Sequence, residues 1–209
     1  PIDGRAWGCD FYVFSVYKVF GPHMAALFGT REAFAELTGP NHYFIPPESL
    51  PYKFELGGVN HEGCAGLLGL EQYLKFLGTD GEEAGTIRPD RAIVGRAFER
   101  MAAMELPLQA RLLGYLKSRR DVRVIGPADA GMVRVPTISF VHSARPSREI
   151  ALAANAEGLG IRYGSFYSQR LAEDLGLDIT DGVVRVSLAH YNTLGEVDRL
   201  IAFFDRALG

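Results

Sequence analysis

The sequence has little cysteine and no strong excess of charge of either sign. Its two cysteines, Cys9 and Cys64, lie far apart and not in the spacing of zinc ligands, so we expect no disulfide framework and no metal site. We expect both cysteines to be small apolar core residues, and their scarcity favours a reducing, cytoplasmic location. The net charge of -3 gives no electrostatic basis for binding nucleic acid or an anionic membrane surface.

Long apolar runs and low-complexity tracts are also missing. No segment reaches the length that crosses a membrane as a helix, and no signal peptide is visible. The composition of the 209 residues, 47% hydrophobic and 22% charged, is ordinary for a globular protein. The sequence starts at Pro1 without a methionine, so we expect either a processed start or a piece of a longer protein.

The spacing of apolar residues predicts a mixed α/β protein in three parts. Residues 1–88 alternate strands and helices but hold too few strands for a sheet of their own, residues 89–119 form a long connecting helix, and residues 120–209 form a compact α+β unit. Strands are predicted at 10–15, 24–28, 122–125, 136–141, 161–166 and 183–189, and helices at 30–37, 60–77, 91–119, 147–157, 168–175 and 193–208. Pro107 should kink the long helix or make it restart. Thr193 and Glu196 have the spacing of a capping box at the start of the last helix.

A lysine stands in the middle of the apolar stretch DFYVFSVYKVFGPHMAALFG, residues 10–29. Two short strands on either side would place Lys18 in a tight loop held by rigid neighbours. A lysine in such a loop often buries only its stem and keeps its ammonium in water. The alternative is chemical, because a desolvated neutral amine forms a Schiff base with a carbonyl compound and the hydroxyls of Ser15 and Tyr17 suit a phosphate. A lysine beside a phosphate site is what pyridoxal phosphate requires.

The segment SVYKVFGPH, residues 15–23, resembles the cofactor-lysine loop of class V aminotransferases, the fold-type I pyridoxal-phosphate enzymes that include the cysteine desulfurases. The resemblance implies that Lys18 forms the Schiff base with pyridoxal 5'-phosphate and that Ser15 binds the phosphate. Tyr17 stands where the desulfurases usually have histidine. Three more segments follow in the family's order: KFELGGVNHEGCAGLLGLEQYL, GLGIRYGSFYSQRL and VVRVSLAHYNTLGEVDRLI.

Two of these segments supply further site residues by resemblance. Gly58 takes the position of a threonine that reaches the phosphate of a neighbouring subunit, so only its backbone can make that contact. Arg185 matches the arginine that holds the substrate α-carboxylate, a group that suits the guanidinium fork. The implied fold class is α/β, the C-terminal part of the fold-type I large domain followed by an α+β small domain. The implied protein is a homodimer that acts on a small amino-acid substrate, with Lys18 as the base for the α-proton.

Two features depart from the family pattern. The desulfurase nucleophile would fall at Tyr167, and a phenol cannot carry sulfur as a persulfide, so persulfide-type desulfuration is not expected. The chain is also about half the family's usual length, and the aspartate that pairs with the pyridine nitrogen would precede Pro1. Two functions therefore stay open. The chain is either part of a pyridoxal-phosphate transferase or lyase, or a truncated, non-catalytic remnant that binds no cofactor and self-associates.

Several polar residues have simpler interpretations than catalysis. For Arg162 a structural salt bridge is at least as good an explanation as a substrate contact. His190 is predicted to pack at the entry of the last helix, and Asn192 to shape the turn before it. The arginines of the long helix are predicted to lie on a solvated face.

Overall fold

The computed structural model describes residues 2–81, 88–131 and 134–209 of the chain. The chain divides into two compact units, Pro1–Ala97 and Phe98–Gly209, and the division falls inside the longest helix. Residues 82–87, between the predicted helices 60–77 and 91–119, lie outside the described residues. Among the helices that are described, none is both long and apolar enough to span a membrane.

The first unit begins with a β-hairpin, as predicted. Strands β1 (Phe11–Ser15) and β2 (Ala25–Gly29) pair in antiparallel register, with Val13 opposite Leu27. A single 3-10 turn, Val16–Val19, follows β1 directly. The alternation of apolar and aromatic residues in both segments is typical of short strands, and each observed strand lies within one residue of its predicted bounds.

Two of the described helices lie wholly within the first unit, and side-chain caps define their starts. Helix α1 (Arg31–Glu36) begins where the Thr30 hydroxyl accepts a hydrogen bond from the backbone N–H of Ala33. Helix α2 (His61–Gly78) begins in the same way at Asn60, whose side-chain oxygen accepts from the N–H of Gly63 at 2.7 Å. These caps satisfy backbone donors that a helix leaves free in its first turn.

The long helix α3 (Arg91–Ser118) runs through Pro107 as one element, so the predicted restart is wrong, and the alternative of a kink stays a prediction. A proline inside a helix costs about 3 kcal/mol because it removes one backbone hydrogen bond and crowds the preceding turn. The burial of four leucines that follow Pro107 more than offsets this cost. Leu108, Leu112, Leu113 and Leu116 are all at most 2% exposed, and each fully buried leucine stabilises the fold by about 1.5–3 kcal/mol.

The second unit contains a four-stranded antiparallel sheet and three helices that follow its strands. The strands are β3 (Val122–Ile125), β4 (Thr137–His142), β5 (Arg162–Gly164) and β6 (Val183–Ser187), in the spatial order β3-β4-β6-β5. The helices are α4 (Ser147–Ala156), α5 (Gln169–Asp174) and α6 (Leu194–Leu208). The predicted order of strands and helices is confirmed, and so is the capping box of Thr193 and Glu196 at the start of α6.

One face of this sheet carries the hydrophobic core. Ile138 and Phe140 of β4 and Val184 and Val186 of β6 are at most 2% exposed and form one cluster with buried residues of α3, α4 and α6. Since side chains alternate across a strand, the residues between them point to the opposite face. Arg185 therefore lies on the face that the core does not occupy.

Two predictions about individual residues are wrong. Cys64 is exposed and Cys9 is only half-buried, so neither is a core residue. Arg119 does not lie on a solvated face, because its side chain is 17% exposed and donates hydrogen bonds to the carboxylate of Asp121. The exposure of these side chains depends on tertiary packing, which the spacing of apolar residues along the sequence does not predict.

Candidate functional site

Lys18 lies in the 3-10 turn between β1 and β2, the loop position that was predicted for it. Its side chain is exposed, and within the described residues its ammonium makes no ion pair and no hydrogen bond. The nearest ring is that of Tyr17, whose centroid lies 5.9 Å from Nζ. Within the described residues, nothing around Lys18 provides the desolvation that the chemical interpretation requires, because the hairpin residues beside it are themselves exposed, Phe14 at 41% and Tyr17 at 47%.

Close packing at two glycines fixes the backbone of the turn that carries Lys18. Val16 is 2% exposed, and Gly21 packs so closely on it that an added Cβ would lie 2.3 Å from the Val16 Cγ1 atom. Helix α2 supports the same turn through another glycine, since a Cβ at Gly66 would lie 2.8 Å from Pro22. These close approaches hold the backbone on both sides of Lys18 while its side chain stays free.

Ser15 and Tyr17 place two hydroxyl groups beside Lys18. Ser15 is half-buried at the start of the turn, and its hydroxyl makes no capping hydrogen bond. The Tyr17 ring contacts His23 with the ring centroids 4.8 Å apart. One ammonium and two hydroxyl groups on one turn are donors of the kind that an anionic phosphate needs, so these residues fit pyridoxal phosphate chemically.

Gly58 lies in an exposed loop between a 3-10 turn, Tyr52–Phe54, and helix α2. A Cβ built on Gly58 would meet no atom within 4 Å, so the chain does not require a glycine at this position for space. In the described residues Gly58 forms no hydrogen bond with Ser15, Tyr17 or Lys18. Its predicted contact with a cofactor phosphate remains a prediction.

Arg185 belongs to the second unit, whereas the other predicted site residues belong to the first. Its guanidinium stacks on the ring of Phe166, with the guanidinium carbon 3.9 Å from the ring centroid. Its Nε is buried and has no hydrogen-bond partner within the described residues. Because the ring covers one face of the guanidinium and leaves its edge of N–H donors unused, the group suits bidentate binding of a carboxylate.

Phe166 is a residue whose role sequence reasoning missed. The predicted strand 161–166 ends already at Gly164, and both Phe166 and Tyr167 adopt left-handed backbone conformations, with φ of 52° and 63°. Such conformations are uncommon for bulky residues and store about 1–3 kcal/mol each. The tight turn directs the Phe166 ring onto Arg185 and leaves the Tyr167 side chain fully exposed.

His190 and Asn192 have the structural roles predicted for them. The His190 side chain is 2% exposed, and its Nδ1 lies 3.8 Å from a carboxylate oxygen of Glu105 on α3. Burial lowers the pKa of His190 and raises the pKa of Glu105, which also accepts a backbone hydrogen bond from His190. Asn192 accepts a hydrogen bond from the N–H of Ala189 and thereby closes the turn before α6.

Comparisons with known proteins agree with this picture. A family model described as aminotransferase class-V matches residues 1–200. The aminotransferase-like protein FGM3 of Gibberella zeae is 39% identical over 210 residues, which cover 99% of this chain and 48% of that protein. A probable cysteine desulfurase of Mycolicibacterium paratuberculosis is 33% identical over 209 residues, covering 95% of this chain and 27% of that protein.

A solved structure has the same fold. The cysteine desulfurase CsdA of Escherichia coli superposes with a TM-score of 0.75 at 24% identity and covers 100% of this chain and 48% of its own. At this identity the likeness bears on the fold alone, and it agrees with the predicted fold class, the C-terminal half of the fold-type I architecture. The chain spans about half the length, or less, of the curated relatives it matches.

Proposed function

Because this chain belongs to the class-V aminotransferase family, we propose that it is the C-terminal portion of a pyridoxal-phosphate-dependent transferase or lyase that acts on a small amino acid. The observation that carries the proposal is the state of Lys18. Its ammonium projects from a turn whose backbone is fixed by Val16 and Gly21, and within the described residues it has no ionic or hydrogen-bonding partner. A lysine that reacts with a cofactor needs a backbone that is held in place and an ammonium group that no other side chain binds.

In this proposal Lys18 would hold the cofactor through Nζ at its aldehyde carbon, with the aldehyde oxygen leaving as water. The Ser15 hydroxyl, and the phenol of Tyr17 where a histidine is usual, lie on the same turn as donors for the cofactor's polar groups. When bound, the cofactor supplies an acceptor for the electron pair left at the substrate α-carbon. The resemblance implies further cofactor-contacting residues, which the proposal does not assign to this chain.

Two residues act on the substrate itself. Arg185 holds the α-carboxylate by two parallel N–H bonds from its free edge, and the Phe166 ring keeps the guanidinium plane in one orientation. Lys18 would take the α-proton at Nζ as a general base.

Persulfide-type cysteine desulfuration is not part of the proposal. The position of the desulfurase nucleophile carries Tyr167, whose phenol cannot accept sulfur and whose side chain is fully exposed. Cys64 is exposed on α2 and Cys9 lies at the start of the first unit, in segments other than that of Tyr167. We further propose a homodimer, in which the backbone N–H of Gly58 faces the cofactor phosphate of the neighbouring subunit.

The experiment is to trap the lysine adduct by reduction. The full-length protein is incubated with pyridoxal phosphate, treated with borohydride and digested, and the peptides are weighed by mass spectrometry. We expect the peptide that contains Lys18 to gain the mass of the reduced cofactor, and Lys18→Ala to abolish that gain. Lys117→Ala is the matched control, since Lys117 is half-exposed and pairs with Asp129 in the second unit.

The same experiment tests the alternative of a cofactor-free remnant. A label on any other lysine, or a label that survives Lys18→Ala, contradicts the proposal. If the full-length protein takes up no label at all, the remnant interpretation stands instead. Labelling of the full-length protein but not of the 209-residue chain means that residues beyond this chain complete the cofactor site.

A further inference from the structure

Two arginines are direct neighbours on the open face of the second unit's sheet. Arg162 of β5 is the register partner of Arg185 of β6, and Ser139 of β4 is the register partner of Arg185 on the other side. Register partners share a face, and their Cβ atoms lie about 4.5–5.5 Å apart. The flanking pair, Tyr163 and Val184, points to the core instead. The two guanidinium groups therefore emerge side by side from the sheet.

Nothing else in the described part of the chain neutralises this pair. Like charges directly opposite each other on neighbouring strands are destabilising. Neither Arg162 nor Arg185 forms an ion pair or a side-chain hydrogen bond with any described residue, and the next residue across the sheet, Ser139, is uncharged. The structural salt bridge that was an equal interpretation of Arg162 is therefore not found. The arrangement is suited to an anionic ligand that the chain itself does not provide.

The two arginines differ in which part of the guanidinium group a ligand can reach. Phe166 covers one face of the Arg185 guanidinium, so Arg185 offers only its edge, whereas Arg162 is exposed. An edge-on guanidinium is selective for one planar carboxylate, and an exposed guanidinium accepts a second anionic group beside it. A ligand with two acidic groups a short distance apart satisfies both.

We propose that Arg162 and Arg185 form a two-arginine site that selects amino acids whose side chain ends in a second acidic group, with Arg185 on the α-carboxylate and Arg162 on the side-chain acid. Arg185 as the α-carboxylate residue rests on the proposed function. The assignment of Arg162 goes beyond it, since it names the substrate class as compact, doubly acidic amino acids.

The test is a calorimetric titration of the full-length protein with two probes that carry no amino group. Succinate has two carboxylates and propionate has one, so neither reacts at the lysine. We expect wild-type protein to bind succinate at least ten-fold more tightly than propionate. Arg162→Gln should lower succinate affinity to about that of propionate and leave propionate unchanged, whereas Arg185→Gln should weaken both.

Arg123→Gln is the matched control for the loss of one positive charge. Arg123 is exposed on β3 of the same sheet. Its register partner is Val141, so it lies on the face that carries Ser139 and Arg185. Strand β3 is three strand spacings, about 14 Å, from β5. It should leave the affinity for both probes within two-fold of wild type. Arg162→Lys keeps the charge and should retain part of the preference for succinate, which guards against a variant that merely fails to fold.

The possible results separate this inference from the proposed function. Equal losses for succinate and propionate in Arg162→Gln would mean that both arginines serve one carboxylate, which overturns the two-group site. Unchanged succinate binding in Arg162→Gln overturns it as well. If succinate binding needs both arginines although Lys18 takes up no cofactor, the site stands and the enzymatic proposal fails.

Discussion

At the scale of single residues, the stacking of Phe166 on Arg185 is the contact that would orient the proposed carboxylate-binding group. The ring lies 3.9 Å from the guanidinium carbon, and the backbone that positions it is in a left-handed conformation. A guanidinium on a flexible side chain loses entropy when it binds a carboxylate, and a ring beneath it removes part of that loss beforehand. The strained turn at Phe166 therefore helps to orient the Arg185 guanidinium.

Replacing Phe166 by leucine should weaken carboxylate binding while the fold is kept. A cation–π contact of this kind contributes about 1 kcal/mol, so we expect propionate affinity in calorimetry to fall about five-fold. Tyr167→Leu is the matched control, since Tyr167 is the next residue in the same backbone conformation and its ring is fully exposed. Equal effects of the two substitutions would show that the stack has no special role.

At the scale of elements, a half-buried polar network ties the ends of three elements together. Arg119, just beyond α3, donates hydrogen bonds to the carboxylate of Asp121 and to the backbone carbonyl of Leu208 at the end of α6. His142 at the end of β4 has its Nε2 3.1 Å from the same carboxylate. The His142 Nδ1 accepts hydrogen bonds from the N–H groups of Ala144 and Arg145, so Nε2 is the protonated nitrogen that donates to Asp121.

This network predicts how stability depends on pH. Hydrogen bonds from Arg119 first, and from His142, lower the pKa of Asp121 to about 2, below the value of about 3.9 for an unfolded aspartate. A carboxyl with a lowered pKa stabilises the fold above its unfolded pKa, and that contribution is lost as the pH falls through the folded pKa. Asp121→Asn should therefore lower the free energy of unfolding at neutral pH, and the difference from wild type should shrink between about pH 4 and pH 2.

Urea unfolding at a series of pH values measures this difference. Asp129→Asn is the control, because Asp129 also forms a pair, with Lys117 at 2.7 Å, but its side chain is 89% exposed. Exposed pairs contribute little to stability, so this variant should unfold like wild type. A loss in Asp121→Asn that stays constant with pH would show that the network acts through packing and not through charge.

At the scale of the whole molecule, the two units differ in how well they bury their apolar residues. The second unit has a continuous core around Phe140, Phe204 and Leu112, each fully buried. The hairpin of the first unit leaves large apolar side chains uncovered, with Val13 66% and Leu27 57% exposed as a cross-strand pair. Uncovered apolar strands with free edges are prone to pair with other chains.

Produced by itself, the 209-residue chain should therefore self-associate. We expect sedimentation velocity to show oligomers whose fraction rises with concentration, and the double substitution of Val13 and Leu27 by lysine to reduce that fraction. Leu152→Lys is the matched control, since Leu152 is 50% exposed on α4 of the second unit. A chain that stays monomeric at all concentrations, or one that Leu152→Lys dissociates equally well, contradicts this prediction.

The parts of the fold that sequence predicted well are those that depend on neighbours along the chain. The capping box of Thr193 and Glu196 is complete within four residues, and the apolar face of α6 repeats within two turns, so both are readable before any tertiary contact is known. The position of Lys18 in a loop between two strands was predicted for the same reason, because the turn residue Gly21 and the flanking apolar runs are local.

Other features depend on contacts between residues far apart in sequence, and only the tertiary structure decided them. The continuity of α3 through Pro107 results from the burial of four leucines against strands and helices that follow much later. The pairing of Arg162 with Arg185 and the stack of Phe166 both depend on strand register and on the order β3-β4-β6-β5. The sequence by itself determined which elements form and to which family the chain belongs. The structure decided which side chains share a face, because register and burial are properties of the assembled sheet and not of any one segment.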